Sequence, residues 1–269
     1  MNFKIVQPSS VLAPYIKYYW MLENCVSHEE TYHHRIIPNG FVELIFYYND
    51  TPEYLRKSTK IKSKAIISGQ QNEYYDIAIK GEMKLFSVIF KPQAARLFLG
   101  LPVNELVNQS IPADLIFKGK INTITERLAD TSEINKKVEI VESFLVEQIT
   151  QNRDFSVSRI SDSVGYINMS RGLNQVEMLA NRACLSRKQF ERVFGEFVGI
   201  TPKQFLKIIR FQYSIFLQQK EFNNNLAALA YDSGYYDQSH MINDYKSLSG
   251  LTPSQYFEQC EPFSDYFSR

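Results

Sequence analysis

The sequence predicts an α+β multidomain protein: a β-rich barrel or sandwich in front, a helical connector, and an all-α C-terminal domain with a duplicated helical motif. Three observations predict this order. Short β-rich runs fill the first 115 or so residues, an amphipathic stripe follows at 132–149, and residues 182–257 contain a repeat.

Composition sets the general class of the protein. The chain has 269 residues, 44% of them hydrophobic and 14% aromatic, which suits about two folded domains and excludes a disordered protein. Neither a signal peptide nor a run long enough to span a membrane occurs. Three widely spaced cysteines favour a reduced compartment over a disulfide framework. We therefore expect a soluble, cytoplasmic protein.

The front domain, expected over residues 1–118, reads as strands. Four short β-rich runs lie at 41–48, 64–69, 74–81 and 84–91, separated by Asn, Gly, Pro and Lys breaks. Strands at this spacing are typical of a sandwich or barrel. Residues 92–100 begin with Pro and end with Gly, as a short helix does. We interpret this domain as a candidate sensor.

The segment 119–152 is expected to be a helical connector or dimerisation segment. Within 132–149, five apolar residues share one stripe of a helix: Ile134, Val138, Val141, Leu145 and Ile149. Such a stripe needs a partner surface. The helix is expected to pack between the two halves or against a second subunit.

The third region, 153–269, contains two similar segments. Six pairs of similar residues are separated by 51 positions: Ser186 and Asp237, Phe194 and Tyr245, Gly199 and Gly250, Thr201 and Thr252, Pro202 and Pro253, and Phe205 and Tyr256. An offset kept through six pairs indicates an internal repeat. Each copy reads as a short helix, a tight turn and a second helix begun by Ser or Asp, which predicts two helix-turn-helix motifs.

Helical periodicity divides the side chains of the second helix of each copy into an inward and an outward set. The inward side chains are Phe190, Val193, Phe194 and Phe197 in the first, and Met241, Tyr245 and Leu248 in the second. The outward ones are Arg187, Lys188, Glu191 and Arg192, with Gln189 at the margin, and then Gln238, Ser239, His240, Ile242, Asn243 and Lys246. Taken alone, each outward face could simply be a solvated surface.

The repeat favours the interpretation that the outward faces bind DNA over the interpretation that they are only solvated surfaces. Polar and basic side chains near a helix start match base-edge donors and acceptors in the major groove. A long helix at 202–220 would join the copies, and at about 1.5 Å per residue it spans about 28 Å, close to the roughly 34 Å between successive major grooves. Net charge contributes little, since residues 153–258 carry 12 basic and 10 acidic side chains, a net +2.

The last 105 or so residues resemble the DNA-binding domain of AraC/XylS-type transcriptional regulators. The resemblance lies in LSRKQFERVFGEFVGITP at 185–202 and, above all, in GYYDQSHMINDYKSLSGLTPSQY at 234–256. It implies two helix-turn-helix motifs, double-stranded DNA as partner and sequence-specific control of transcription. RNA polymerase, a small-molecule effector and a second copy of the chain are further candidate partners. It implies no enzyme activity and no membrane partner.

The sequence departs from this family pattern at three positions. Cys184 stands where the first turn usually has Gly, so a turn that needs positive φ would cost about 1 kcal/mol or be reshaped. Asn243 stands where an Arg is frequent, and Met241 replaces the usual Phe. We therefore expect the first reading helix to supply more affinity than the second.

The front half more loosely resembles the N-terminal domain of a subset of these regulators, through 35–48, 68–70 and 86–106. Glu43 shares a strand face with Phe41, Ile45 and Tyr47, and burying an unpaired carboxylate is costly. Glu43 could hold a cationic or hydroxyl-bearing effector together with Trp20 and Tyr47. Alternatively, it could form a structural ion pair, for which the candidate partners are Arg35, Lys91 and Arg96.

Metal and catalytic sites find no support in the sequence. His28, His33 and His34 lack a further ligand at suitable spacing, and adjacent histidines on a strand point to opposite faces. No nucleophile with a base and no glycine-rich phosphate loop occurs. We expect neither cofactor nor metal. Two alternatives for the front half stay open, a barrel enzyme and a protein-interaction module.

Overall fold

The computed structural model describes residues 2–25, 29–55, 63–149, 155–221, 225–260 and 264–267. Strands come first in the chain, and helices make up the remainder. Measured against the length and hydropathy that a membrane crossing needs, none of the described helices qualifies.

The strands described in the front half pair into two antiparallel sheets. They are β1 (Asn2–Val6), β2 (Ile16–Cys25), β3 (Tyr32–Ile36), β4 (Val42–Tyr47), β5 (Glu53–Tyr54), β6 (Ala65–Ser68), β7 (Tyr75–Ile79), β8 (Glu82–Phe90) and β9 (Ser110–Pro112). The large sheet has the order β1-β2-β8-β4-β6-β9 and the small sheet the order β3-β7-β5. The predicted β-rich front half is thus confirmed as a pair of sheets, and not as a closed barrel.

Both faces of the large sheet are covered. Along β4, Val42, Leu44 and Phe46 point to a layer of helices, whereas Ile45 and Tyr47 point to the small sheet. Because both faces are buried, β4 reads as an almost continuous apolar run, and Glu43 interrupts it on the face toward the small sheet.

The helices that follow the sheets cover the large sheet. They are α1 (Ala95–Leu99), a 3₁₀ helix (Val103–Leu106), α2 (Asp114–Phe117), α3 (Lys120–Ala129) and α4 (Ile134–Gln148). Val138, Val141 and Leu145 of α4 enter the core of the front half beneath Phe46. The apolar stripe of the expected connector therefore packs on the front sheet and not between the two halves, since the sheet supplies the nearest apolar surface.

The C-terminal half is helical, as predicted. Its helices are α5 (Phe155–Met169), α6 (Val176–Arg182), α7 (Arg187–Val198), α8 (Pro202–Glu221), α9 (Leu226–Asp232), α10 (Gln238–Ser249) and α11 (Pro253–Gln259). All the side chains predicted to point inward from α7 and α10 are buried, including Met241 at 0% exposure. The Phe-to-Met replacement is thus accommodated in the core.

The two halves share one hydrophobic core. Tyr18, Phe41 and Ile89 of the large sheet cluster with side chains of α5, α7 and α8. The C-terminal tail, 264–267, packs into the same junction, where the rings of Tyr266 and Phe41 stack with centroids 4.8 Å apart. Lys17 Nζ holds this tail by donating to the carbonyl of Asp265 at 2.8 Å. The expected boundaries 1–118, 119–152 and 153–269 stay predictions.

Candidate nucleic-acid interface and effector cluster

The first helix-turn-helix unit comprises α6 and α7, and its second helix begins at a capping box. Ser186 Oγ accepts from the backbone N–H of Gln189, and Gln189 Oε1 accepts from the backbone N–H of Ser186 at 3.1 Å. Two otherwise unpaired N–H groups are thereby satisfied. The Gln189 oxygen is used for capping.

The second unit comprises α9 and α10, and an aspartate begins its second helix. Asp237 Oδ1 accepts from the backbone N–H of His240 at 2.7 Å. A carboxylate at a helix start is stabilised by both this hydrogen bond and the helix dipole. Ser186 and Asp237, the first pair of the repeat, therefore have the same structural role.

The turn of the first unit keeps a left-handed residue despite its cysteine. Cys184 has φ +55°, and Gly234, two residues past the end of α9, has φ +77°. Both lie where L side chains are disfavoured. The expected reshaping of the turn is therefore wrong: Cys184 itself adopts the left-handed conformation.

The predicted DNA-reading face of α7 is exposed and crossed by ion pairs. Arg187, Lys188, Gln189 and Arg192 are exposed and Glu191 is half-buried. Arg187 pairs with Glu177 and, at 3.0 Å, with Glu191, while Arg192 pairs with Glu196 at 2.6 Å. Exposed pairs contribute about 0–1 kcal/mol each, so both arginines can exchange their carboxylates for phosphate or base oxygens at low cost.

The reading face of α10 is more neutral. Gln238, Ser239, Asn243 and Lys246 are exposed, whereas His240 and Ile242 are half-buried. The His240 ring meets Tyr235 edge-on at 5.3 Å, which places the imidazole at the rim of the core. The structure thus brings the six predicted residues of α10 onto one helix, with Lys246 as the single formal cation among them.

Helix α8 joins the two units through aromatic contacts. Phe205 in its first turns packs against Phe194 of α7, and Phe211 packs edge-on against Tyr245 of α10 at 4.8 Å. With 20 residues, α8 is about 30 Å long. The 34 Å separation of two reading helices stays a prediction.

The three candidate effector residues lie together on the large sheet. Glu43 Oε1 accepts from Trp20 Nε1 at 2.8 Å and also from the Ser87 hydroxyl. Tyr47, four residues after Glu43 on the same face of the strand, is hydrogen-bonded to Tyr54. We call Trp20, Glu43, Ser87, Tyr47 and Tyr54 the polar cluster. It lies between the part of the sheet covered by the small sheet and the part covered by the C-terminal half.

The alternative of an ion pair at Glu43 is wrong. Arg35 pairs with Asp76, Arg96 pairs with Glu196, and Lys91 donates to the carbonyl of Ala13. All three cations lie nearer to other acceptors, so neutral donors hold Glu43. Burial raises the pKa of Glu43 from 4.5 to about 7, against the opposing effect of its hydrogen bonds from Ser87 and Trp20.

A pocket of about 300 Å³ lies at the junction of the two halves. Phe41 and Lys91 line it from the front half, and Gly165 of α5 and Tyr266 of the tail line it from the other side. Phe41 lies two positions before Glu43 and on the same side of the chain, whereas no residue of the polar cluster lines the pocket.

The histidines expected not to form a metal site are only partly described. His28 lies outside the described residues. His34 stacks on Tyr32 with centroids 6.1 Å apart, and burial lowers the pKa of its imidazole. In the described ranges, no three His, Cys, Asp or Glu side chains come close enough to hold a metal ion.

Two family models match the chain, one in each half. Residues 4–112 match a domain of unknown function, DUF6597, and residues 179–259 match a helix-turn-helix domain. The second match covers α6 to α11, and hence both units. Residues 179–259 are an AraC-type helix-turn-helix domain. An uncharacterized HTH-type transcriptional regulator of Haemophilus influenzae is 36% identical over 81 residues, which are 30% of this chain and 27% of that protein.

The solved structures that align with this chain are more distant in sequence. ToxT from Vibrio cholerae O395 aligns over 89% of this chain and 97% of its own, with a TM-score of 0.49 and 14% identity. Unsaturated fatty acid-bound ToxT from Vibrio cholerae strain SCE256 aligns over 98% and 97%, with a TM-score of 0.48 and 13% identity. The AraC-like transcriptional activator CuxR has a TM-score of 0.29 and 11% identity over 81% and 87%.

The AraC-type domain contains one buried charge that inspection of the sequence did not single out. Asp244 of α10 is 6% exposed, and its carboxylate lies 3.3 Å from Lys207 Nζ and 3.6 Å from Arg210 Nη2, both on α8. An acid one position before the inward Tyr245 was a usable signal. These pairs tie the second reading helix to the helix that joins the two units.

Proposed function

We propose that this protein is a sequence-specific DNA-binding transcription regulator whose AraC-type domain reads two adjacent sites on double-stranded DNA. The observation that carries the proposal is the repeat itself. Both copies begin their second helix with a side-chain cap, bury its apolar face and leave its first two turns polar and exposed. Capped helix starts with exposed donors suit phosphate and base-edge contacts.

The proposed base readers are Lys188, Glu191 and Arg192 of α7 and Gln238, Ser239, His240, Ile242 and Asn243 of α10. Arg187, Gln189 and Lys246 are proposed to contact phosphates. This division follows from position: the latter three flank the reading faces, where they would meet the DNA backbone. RNA polymerase and a second copy of the chain are proposed as further partners of a regulator of this kind.

Selection of DNA by the full-length protein tests the proposal. Purified protein is incubated with genomic fragments, and bound fragments are sequenced; enrichment of a shared motif is expected. A double variant, Lys188→Glu with Arg192→Glu, should abolish that enrichment. The matched control is Lys80→Glu, an exposed lysine of the front half. Retention by the wild type of no sequence above random competitor would overturn the proposal.

We further propose that a small-molecule effector binds the front half at the polar cluster. Trp20, Glu43 and Tyr47 combine hydrogen-bonding groups with apolar surroundings, and Phe41, two positions before Glu43, lines the pocket at the junction of the two halves. A carboxyl with pKa about 7 can receive either a cationic or a hydroxyl-bearing group. The effector would regulate DNA binding only if it binds one DNA-competence state more tightly than the other.

Thermal shift of the full-length chain against a metabolite panel tests the effector site. A ligand that raises the melting temperature should lose most of its effect with Tyr47→Phe. Tyr48→Phe is the control, because Tyr48 follows directly and packs against the core on the opposite face of the sheet. This location would be contradicted if the ligand lost the same part of its effect on the melting temperature with both variants. It would also be contradicted if the ligand kept its full effect with both.

A further inference from the structure

One loop of the front half contacts both helix-turn-helix units. The loop, residues 69–74, connects β6 to β7. At one end, Gln70 Nε2 donates to the carbonyl of Val198 at the end of α7. At the other end, the ring of Tyr74 lies against Gly250, directly after α10. A loop of six residues therefore spans the ends of the two reading helices.

The two contact points are equivalent positions of the repeat. Gly199 and Gly250 are 51 positions apart, and each follows its reading helix with positive φ, +100° and +76°. A Cβ at Gly199 would lie 2.9 Å from Gln70 Cβ, and one at Gly250 would lie 2.6 Å from Tyr74 Cζ. The front half thus approaches both units closely, at the same corner of each.

Two arginines of the front half strengthen these contacts. Arg96 of α1 pairs with Glu196 at 2.7 Å and lies over the Phe197 ring, in the last turns of α7. Arg35 of β3 donates to the carbonyl of Ser249 at 3.0 Å and lies over the Tyr74 ring at 4.4 Å. Arg35 is itself held by Asp76, with N–O distances of 2.7 and 3.0 Å. Each unit is therefore fixed by a polar and a packing contact.

These contacts leave the reading faces free. These contacts involve residues 196–199, at and just after the end of α7, and residues 249–250, at and just after the end of α10, whereas the exposed readers lie in the first two turns of α7 and α10. The front half therefore does not cover the proposed DNA surface. Its contacts instead bear on how the two units are oriented relative to each other.

We propose that loop 69–74 sets the spacing between the two DNA sites that the AraC-type domain reads, with Gln70 and Tyr74 as its positioning residues. This inference rests on the proposed function. Holding both units at equivalent corners restricts rotation of one against the other about α8. Ser68 and Tyr75 flank the loop and are hydrogen-bonded to each other, and Tyr75 stacks on Tyr54 of the polar cluster. A ligand at that cluster would act on the spacing through these residues.

A series of DNA duplexes with altered spacing tests the inference. The motif selected by wild-type protein is split at its centre, and one or two base pairs are inserted or removed. For the wild type, we expect affinity to fall by about tenfold per base pair, because the units cannot follow the rotation of the helix. For Tyr74→Ala and Gln70→Ala, we expect a loss of about threefold or less.

Matched variants separate this role from a general effect on folding. Tyr32→Ala removes a tyrosine of the small sheet that is 50% exposed and stacks on His34, and Gln109→Ala removes an exposed glutamine. Both should keep the wild-type spacing profile. Tyr74→Phe retains the ring against Gly250 and should therefore also show the wild-type spacing profile. Should Tyr74→Ala and Gln70→Ala bind with the wild-type profile, the inference is overturned, while selection of a motif by the wild type leaves the proposed function standing.

Discussion

Trp20 and Ser87 donate to the same oxygen of Glu43, with the indole nitrogen 2.8 Å from Oε1. The carboxyl thus sits between two neutral donors in a largely apolar layer, with no cation among its hydrogen-bond partners in the described residues. Burial outweighs these hydrogen bonds and raises the pKa of Glu43 to about 7.

Replacing Glu43 by Gln should remove a pH dependence of stability. Well below pH 4.5, the carboxyl is protonated in both the folded and the unfolded state, so it does not change the free energy of unfolding. As pH rises from 4.5 to about 7, the unfolded chain loses the proton first, and the folded state is destabilised by about 1–3 kcal/mol. Glu43→Gln should therefore gain stability over the wild type across this range, as measured by urea unfolding at several pH values. Parallel profiles for the two proteins would contradict the assignment, and Glu126→Gln, at an exposed site, should behave as wild type.

Replacing Cys184 by Gly should stabilise the protein. At φ +55°, the backbone of Cys184 is strained because its Cβ is crowded, and glycine removes this strain. Glycine also gives the unfolded chain more conformational entropy, which offsets part of the gain. We expect a net gain of about 0.5–1 kcal/mol in the free energy of unfolding. Cys184→Ala is the matched control, because it removes the thiol and keeps the Cβ. A gain with Ala as large as with Gly would mean that the thiol, and not the backbone, is responsible.

Arg192→Ala should weaken DNA binding more than Asn243→Ala. Both side chains are exposed on a predicted reading face, but only the arginine is positively charged, and its N–H groups can donate hydrogen bonds to phosphate or guanine. We expect a loss of about 1–3 kcal/mol for Arg192→Ala and about 1 kcal/mol or less for Asn243→Ala, measured by fluorescence anisotropy with the selected motif. Equal losses would contradict the expected asymmetry of the two units.

Replacing Asp244 by Asn should destabilise the second helix-turn-helix unit. The change leaves Lys207 and Arg210, which are 29% and 18% exposed in their side chains, without a countercharge. Removing one partner of a buried group of charges costs about 3 kcal/mol, reduced here because the cations are partly solvated. Calorimetry of the full-length chain should show a lower melting temperature and DNA affinity should fall, whereas Asp232→Asn, at an exposed site on α9, should change neither.

Features encoded locally were predictable from the sequence. Helical periodicity correctly predicted that Phe194 and Tyr245 are buried. The repeat, with Ser186 and Asp237 as caps, correctly predicted where α7 and α10 begin. Four of the strands were found because short β-branched and aromatic runs end at turn residues. Strands β1 and β2 were not, since β1 pairs with β2, and β2 pairs with β8, whose residues lie about 60 to 70 positions away.

By itself, the sequence determined the duplicated units, their caps and the residues that they expose, because these depend on spacings of 3 to 51 positions along one chain. Tertiary structure alone decided the partners of Glu43, the burial of Asp244 between α8 and α10, and the approach of Gln70 and Tyr74 to Gly199 and Gly250. These contacts depend on which surfaces meet when segments distant in sequence pack together. Which of several cations or donors becomes the partner of a side chain is decided by distances in the folded core, and the spacing of residues along the chain does not give those distances.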